Sequence, residues 1–469
     1  MRKLKRFAAL SLVGMLAASA FVGCSKKDSD DSKNTGNKGG NTTEEVAGLT
    51  DDGKLLNIYV WNDEFISRMA DHYPGYQKVD ALTGKIGDVD VKFTKVPNEG
   101  TAYQDNLDKT LKTNGKNQAN AKAEDKIDIF LVEIDYIDKY IKTDYAAPVA
   151  ELGITDSDIS KQYPYTQDVA KDDNGKLKAL SWQACPGALI YRADVAKDVF
   201  GTDEPDKVQE FVKDWDTFAK SAATLKEKGW NITSSANDTF RVFSNNVTSK
   251  WVEDKKINID ENIKKWAEMS KTMVDAKQTD TYDLWGSDWK NGMQMTGNVF
   301  CYFGPAWLIN FCMDADKEGS VANAKNYRVC KGPQGFFWGG SWIVCCAGSD
   351  NKSLVKDIML KLTTDDAIME DICKKDSDFV NNTAVNKKLA EGTDFKMDLL
   401  NGQNPIGLWS EGVASISLKY LTKYDQGCNE GFQAAMKDWF TGNYKTYDEA
   451  LAKFYTEISD KYPGIEVPS

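Results

Sequence analysis

The chain has 469 residues, and 59 lysines and arginines against 71 aspartates and glutamates give a net charge of −12. The folded region carries no basic stripe, which argues against a nucleic-acid partner, because neutralising phosphates requires clustered Lys and Arg. A chain of this length can form two domains of ordinary size, each with its own core.

The N-terminus carries the pattern of an export signal. A basic cluster, Arg2 to Arg6, precedes a run of apolar and small residues from Phe7 to Val22. This run is too short to span a bilayer comfortably, so residues 1–23 are predicted to be a secretory signal peptide. Its end, Phe21-Val22-Gly23-Cys24, resembles a bacterial lipobox, in which the cysteine is lipidated. The alternative is a secretory signal that happens to end near a cysteine.

A polar tether is predicted over residues 24–52. The segment is rich in Ser, Lys, Asp, Asn and Gly and nearly free of large apolar side chains. It therefore cannot bury enough surface to offset its chain entropy, and we expect it to be disordered. With acyl chains on Cys24, the protein would be anchored to the outer face of the cytoplasmic membrane. This predicts an extracellular protein of a Gram-positive-type bacterium.

The next part of the chain alternates strands with helices. Helices are predicted from Phe65 onward and through Ile141. Such alternation indicates a parallel sheet, and ligands bind at the carboxyl ends of its strands. The three predicted strands are Leu55–Val60, Asp88–Phe93 and Asp128–Val132. The residues that follow the first and third strands are Trp61, Asp63, Glu64 and Asp135.

A turn and a long strand are predicted next. Asp172-Asp173-Asn174-Gly175 is a turn signal that would join two strands. Leu180 to Tyr191 is predicted to be one strand, which passes through Trp182 and Gln183 and makes the first crossing between the two lobes. Residues 205–290 are predicted to be mainly helical from their amphipathic spacing.

The tryptophans suggest a sugar ligand. Several of the 13 lie beside Gly, Asp, Asn or Gln instead of inside apolar runs. A pyranose packs its C–H face on an aromatic ring, while its hydroxyls need polar partners beside that ring. The alternative is that these rings pack in the core near turns. Trp61, Trp182 and Trp338 lie directly beside such residues, and Trp307 and Trp409 lie in the stretches Gly304-Pro305-Ala306-Trp307 and Leu408-Trp409-Ser410-Glu411.

Eight cysteines follow Cys24. An even count in a secreted chain invites a disulfide interpretation. Most of them lie inside apolar runs, however, where cysteine behaves as a small hydrophobe, so we expect mainly reduced, buried thiols. There is no C-x-x-C pair and His72 is the one histidine, so we predict no metal site and no cofactor.

Several segments in order resemble the carbohydrate-type extracellular solute-binding proteins of ABC importers, the maltose-binding-protein-like family. Leu55–Glu64 resembles the family's first strand with its polar end. Asp128–Asp135 matches the family's D-I-F-x-x-x-x-D segment, and Leu189–Asp194 matches its L-I-Y-R-x-D segment. Gly292–Trp307 matches G-x-x-x-M…G-P-x-W in part, and Gly339–Lys352 matches the segment that begins with G-G-x-W-x-V. The chain departs from the family in its cysteine count and in a polar insertion around residues 113–126.

The resemblance implies a two-lobe periplasmic-binding-protein-like α/β fold with a ligand cleft between the lobes. Each lobe would be a mostly parallel sheet flanked by helices. The N-terminal lobe would comprise residues 53–180 and 328–363, and the C-terminal lobe residues 181–327 and 364–469.

The resemblance also implies the positions of the cleft residues. Trp61, Asp63 and Glu64 would lie on the rim of the first lobe, where Asp135 would accept sugar hydroxyls. The remaining positions are Trp182 and Gln183 near the hinge, Trp307 and Trp409 as stacking rings of the second lobe, and Trp338 and Ser341 on the return to the first lobe. For Asp63 and Asp135 the alternative role is capping of the following helix.

The implied function is that of a monomeric binding lipoprotein, without catalysis, that delivers an oligosaccharide to the permease subunits of an ABC transporter. A secreted glycoside hydrolase is one alternative, because such enzymes also combine Trp platforms with paired carboxylates. A surface module that adheres to glycans is another. No nucleophile elbow, metal motif or phosphate loop is present.

Overall fold

Two main β-sheets organise the fold. The structure is a computed structural model that describes residues 49, 52–116, 118 and 121–468. The predicted signal peptide, Cys24 and nearly all of the tether lie outside the described residues. The strands are β1 Leu55–Val60, β2 Tyr76–Lys78, β3 Thr83–Ile86, β4 Val89–Lys95, β5 Ile129–Glu133, β6 Ala179–Ser181, β7 Ala188–Arg192, β8 Val252–Glu253, β9 Lys256–Ile257, β10 Cys301–Gly304, β11 Tyr327–Cys330 and β12 Ser341–Cys345.

The first sheet has the strand order β2-β3-β4-β1-β5-β12-β6. Strand β1 pairs in parallel with β4 and β5, as the alternation of strands and helices predicts. The other pairs of this sheet are antiparallel. The second sheet, β10-β7-β11, is antiparallel throughout. Strands β8 and β9 form a separate antiparallel pair.

The two-lobe α/β fold is confirmed, but the prediction that each sheet is mostly parallel is wrong. In the first sheet, β2, β3 and β4 follow one another as an antiparallel meander, and β12 returns from the second lobe to lie antiparallel between β5 and β6. In the second sheet, β10 and β11 flank β7 in the opposite direction. Strand direction depends on how distant segments return, which apolar runs do not encode.

Helices cover both sheets. In the first lobe, Phe65 and Met69 of the first helix share one core cluster with Ile58 of β1. In the second lobe, Ile190, Tyr302 and Val329 of β7, β10 and β11 share one core cluster. The helices are α1 Glu64–His72, α2 Ala102–Asn114, α3 Ile137–Ile141, α4 Pro164–Asp168, α5 Ala193–Phe200, α6 Pro205–Val212, α7 Trp215–Glu227, α8 Phe240–Ser244, α9 Glu261–Asp275, α10 Ser287–Asn291, α11 Lys352–Thr364, α12 Asp366–Asp376, α13 Thr383–Glu391, α14 Ile406–Val413, α15 Asp425–Phe440 and α16 Tyr447–Lys461.

The chain crosses between the sheets three times. The first crossing, residues 182–187, divides the predicted strand Leu180–Tyr191 into β6 of the first sheet and β7 of the second. The second crossing lies between β11 and β12. The predicted lobe boundary at residue 328 is therefore wrong, because β11 still pairs with β7 in the second lobe. The third crossing lies between α11 and α12, whose apolar faces pack in different clusters.

The predicted turn at Asp172–Gly175 is present, and the Gly175 backbone N–H donates to the Asp172 carbonyl at 2.9 Å. It is flanked by a single antiparallel bridge between Lys171 and Leu177, so the prediction that it joins two strands is wrong. The described helices include none long and apolar enough to cross a membrane.

All eight cysteines after Cys24 lie in the described part of the chain, and all are free, as predicted. Seven are buried and Cys312 is half-buried. Burial raises the pKa of the Cys330 and Cys428 thiols to about 12. These thiols therefore behave as small apolar side chains.

Candidate functional site

An ion pair crosses the boundary between the lobes. Asp135 follows β5 of the first sheet, and Arg241 lies on α8, whose Phe240 and Phe243 pack in a core cluster of the second lobe. The Arg241 Nη1 donates to Asp135 Oδ1 at 2.7 Å, and Nη2 donates to Oδ2. The side chains are 17% and 20% exposed. This two-point geometry is the stronger kind of charge-assisted hydrogen bond.

The pair leaves Asp135 with both carboxylate oxygens engaged. The Asp135 backbone N–H in turn donates to Glu133 Oε2 at 2.9 Å. Burial raises the pKa of Glu133 well above its usual range, and the neighbouring Asp135 charge adds to the rise. That Asp135 accepts sugar hydroxyls stays a prediction, and such contacts would have to be made beside or in exchange for Arg241.

A second polar network links the first lobe to the segment that follows α12. The Gln183 Nε2 donates to Glu64 Oε1 and to Asp378 Oδ2, both at 3.0 Å. Arg68, which is 1% exposed, donates from Nη2 to Asp378 Oδ2 at 2.8 Å and also pairs with Asp376. Gln183 therefore lies in the first crossing and bonds to the segment that follows α12, and its position near a hinge stays a prediction.

Glu64 has an unusual proton affinity in this network. Burial raises its pKa to about 7, with the Asp378 charge also raising it and Arg68 and Gln183 opposing the rise. The Arg68 Nη2 lies 3.7 Å from Glu64 Oε1. A carboxyl group in this state can donate or accept a hydrogen bond near neutral pH.

Helix capping does not account for Asp63 or Asp135. Asp63 occupies the N-cap position of α1 but makes no capping hydrogen bond with its side chain. It is largely exposed and pairs with Lys95 at 2.7 Å. The N-cap of α3 is Tyr136, one residue after Asp135.

Indole rings gather beside the ion pair. Trp307 and Trp338, both half-buried, have ring centroids 5.2 Å apart, and the Trp307 Nε1 donates to the Trp338 carbonyl at 3.1 Å. Trp285 lies 6.2 Å from Trp307 and 5.4 Å from Trp338. We call Trp285, Trp307 and Trp338 the indole cluster. The Arg241 guanidinium carbon lies 5.9 Å from the Trp338 ring centroid, which joins the cluster to the ion pair.

Trp61 lies at the carboxyl end of β1, in the first lobe. Its ring meets Tyr103 edge-on at 5.4 Å and Tyr136 at 6.3 Å. It is half-buried, so part of the indole remains accessible. The structure thus places one predicted ring in the first lobe and two in the indole cluster.

Three other predicted site residues are buried. The side chains of Trp182 and Trp409 lie in core clusters, where they are 1% exposed. Trp182 packs 5.5 Å from Phe65, and Trp409 packs 6.0 Å from Phe379. The core-packing alternative fits both rings, and a binding role for them stays a prediction. Ser341 is buried in β12, where its carbonyl accepts from the Ser181 hydroxyl at 2.7 Å.

A cavity of about 610 Å³ opens where the two lobes meet. Its walls come from α3 and α4 of the first lobe, including Asp138 and Tyr165, and from residues 416–421, which follow α14 and pack against a core cluster of the first lobe. Its volume lies within the range of about 300–1,000 Å³ typical of small-molecule sites. A smaller hollow beside the Asp135–Arg241 pair shares Ser417 and Leu418 with it. In the described ranges, no cluster of three or more His, Cys, Asp or Glu side chains could hold a metal ion.

Sequence reasoning missed Arg241, Arg68, Trp285 and the segment 416–421. The two arginines sit in ordinary helical patterns, and their partners lie far along the chain. Trp285 did carry a signal, because it precedes Gly286 in a polar stretch like the other tryptophans singled out. The segment 416–421 has no motif that could have revealed it.

Residues 79–401 match the family of bacterial extracellular solute-binding proteins. The chain belongs to this family. A search of curated proteins found no match. Three solved structures that resemble this solute-binding protein are 14% to 19% identical to it, so they establish the fold alone.

These three structures hold sugars. The ABC-transporter-associated binding protein of B. animalis subsp. lactis Bl-04, in complex with β-1,6-galactobiose, is 19% identical, with a TM-score of 0.66 over 89% of this chain and 100% of that one. The galacto-N-biose/lacto-N-biose I-binding protein of Bifidobacterium longum, in complex with lacto-N-biose, is 14% identical, with a TM-score of 0.64 over 89% and 100%. The maltose-bound MalE3 of T. maritima is 14% identical, with a TM-score of 0.61 over 87% and 100%.

Proposed function

We propose that this solute-binding protein captures an oligosaccharide between its lobes and delivers it, unchanged, to the permease subunits of an ABC transporter. The observation that carries the proposal is the indole cluster beside the Asp135–Arg241 pair at the lobe boundary. Three structures of the same fold hold sugars, which supports this ligand class. Closure of two lobes over a ligand is an established mode of domain motion.

The chemistry of the boundary suits a sugar. Indole faces take the C–H face of a pyranose, and the half-buried Trp307 and Trp338 keep their rings fixed for such packing. Glu64 and Gln183 supply carboxyl and amide groups at the inner end of the first lobe. Hydroxyls that lose water on entry need such partners, because an unpaired buried polar group is costly.

The carboxylates near the boundary support binding without hydrolysis. A glycoside hydrolase needs two carboxyl groups that face the glycosidic bond, one as acid and one as base or nucleophile. Asp135 instead forms a two-point ion pair, and Glu64 accepts from Gln183 and lies near Arg68. We infer that these groups position the sugar and hold the lobes.

The proposal extends to the location of the protein. A monomer attached through a lipid on Cys24, with residues 24–52 as its tether, would work at the outer face of the cytoplasmic membrane of a Gram-positive-type bacterium. The extracellular character of the family supports this location. The tether would let the folded part meet both ligand and permease.

A thermal-shift screen of the mature protein against plant and host oligosaccharides tests the proposal. A ligand that binds the folded state alone raises the unfolding temperature, by mass action. We expect at least one oligosaccharide to raise it in a concentration-dependent way. A panel in which no sugar changes the unfolding temperature would contradict the proposal.

A further inference from the structure

Trp285 has a backbone conformation that large side chains avoid. Its φ is +73°, in the left-handed region. Bulky residues are rare there because the side chain crowds the backbone, and such strain is found where function requires it. The next residue is Gly286, so the strain falls on Trp285 although a residue that tolerates this region is adjacent.

The ring of Trp285 is both exposed and held in place. It is 46% exposed, among the few large apolar side chains of the described chain that face solvent. Trp289, which is fully buried, meets it edge-on at 5.3 Å. Trp307 lies nearly parallel to it, at 24°, and Trp338 meets it at 49°. Three indoles thus contact the ring, and nearly half of the residue stays exposed.

We propose that Trp285 is a sugar-stacking residue of the binding site and that its left-handed backbone serves to present the ring. This inference rests on the proposed function, and it adds a residue that the sequence analysis did not single out. Trp285 is the most exposed member of the indole cluster, so it offers the free face, while Trp307 lies half-buried behind it.

The energetic logic is pre-organisation. A side chain that must be ordered on binding costs conformational entropy, and a ring already fixed by neighbours avoids that cost. Trp285 is held by contacts with three indoles and is still 46% exposed to solvent. When the C–H face of a pyranose replaces the water on such an exposed, fixed ring, apolar surface is buried and the binding free energy becomes more favourable.

The decisive variant is Trp285→Gly. Glycine adopts positive φ without strain, so this change removes the ring and the backbone strain together. We expect an unfolding temperature equal to or above that of the wild type, and at least tenfold weaker binding of the best sugar from the screen in calorimetric titration. A residue kept only for packing would show the opposite pattern, with lower stability and unchanged affinity.

A second variant and a control complete the experiment. Trp285→Asn also tolerates the left-handed region and also lacks the ring, so it must weaken binding to the same degree if Trp285→Gly folds poorly. The control is Tyr282→Ala, because Tyr282 is also exposed, three residues earlier, and makes no ring contact with the indole cluster. We expect Tyr282→Ala to bind sugar as the wild type does.

The outcomes separate the two proposals. Wild-type affinity in Trp285→Gly or in Trp285→Asn, with the wild type binding sugar, overturns the role of Trp285 and leaves the proposed function intact. A wild type that binds no sugar overturns the proposed function and this inference with it. Equal loss of affinity in Tyr282→Ala would show that the whole surface segment matters and would overturn the assignment to the Trp285 ring.

Discussion

Asp135 and Arg241 join the first lobe to the second through two parallel hydrogen bonds between carboxylate and guanidinium. The residues are 106 positions apart in the chain, and each is held by its own lobe. Any motion that opens the boundary at this point must separate them. The pair therefore stabilises the arrangement in which the lobes meet.

Removing either charge should favour an open arrangement. In Asp135→Asn or Arg241→Gln the remaining charge is mostly buried and has no partner. This lowers the free energy of unfolding more than the loss of an exposed ion pair does. We expect a larger radius of gyration by small-angle X-ray scattering and a lower unfolding temperature in each variant.

The double variant and an exposed pair serve as controls. Combining Asp135→Asn with Arg241→Gln should destabilise less than the two single effects added together, because no charge is left unpaired. Lys95→Gln breaks the exposed pair with Asp63 and should change stability by less than about 1 kcal/mol. Single variants with wild-type dimensions and stability would show that the pair does not hold the lobes.

Glu64 should make the stability of the protein depend on pH. Burial raises its folded-state pKa to about 7 from 4.5, so the folded state binds the proton more tightly than the unfolded state does. The folded protein therefore loses stability as pH rises from about 4.5 to 7, by at most about 3–4 kcal/mol, since one pKa unit corresponds to about 1.4 kcal/mol.

The variant Glu64→Gln removes this titration and keeps an oxygen that accepts from Gln183. We expect it to be more stable than the wild type at pH 8 and nearly equal at pH 4, measured by urea unfolding at both values. A stability difference that does not change with pH would contradict the assignment.

The cysteines should be free but slow to react. Burial raises the pKa of Cys312, Cys330 and Cys346 alike to about 12, so the reactive thiolate is scarce at neutral pH in all three and exposure decides their order of reaction. We expect an alkylating agent to label Cys312, which is half-buried, before the other two in the native protein. Unfolded, unreduced protein should label at all eight positions by mass spectrometry. Finding no free thiols there would support the disulfide interpretation.

Processing at Cys24 is testable in cells. If Cys24 carries the lipid, Cys24→Ala should release the protein into the medium or leave an uncleaved precursor. Fractionation followed by immunoblotting measures both outcomes, and Ser25→Ala is a neighbouring control that should stay with the membrane. Normal membrane retention of Cys24→Ala would refute the lipid anchor.

Local sequence patterns predicted much of the first sheet. The run Leu55–Val60 is nearly all buried, and a continuous apolar segment of that length reveals a buried strand without any tertiary information. The direction of β12 and the break between β6 and β7 were not predictable in this way, because both depend on where the chain returns after long excursions.

The site shows the same limit. Trp307 and Trp338 were predicted as site residues because tryptophan close to glycine or proline is a local signal, and their binding role stays a prediction. Arg241 and Arg68 were missed because each forms its ion pair with a residue far along the chain, 106 and 310 positions away. Trp285 shows a third case: the tryptophan next to Gly286 was a local signal, but no residue pattern expresses the backbone angle of Trp285.

Calorimetric titration of the wild type and Trp307→Ala with the best oligosaccharide is the most direct test that the indole cluster binds a sugar. Trp439→Ala is the control, because Trp439 packs against Phe440 and Tyr447. We predict that the wild type binds one sugar per chain and that Trp307→Ala binds it roughly tenfold or more weakly, because a buried aromatic anchor contributes about 1–3 kcal/mol. Binding by Trp439→Ala should be unchanged. Chromatography after long incubation should recover the sugar intact. Equal affinity in all three proteins, or cleaved sugar, would contradict the account.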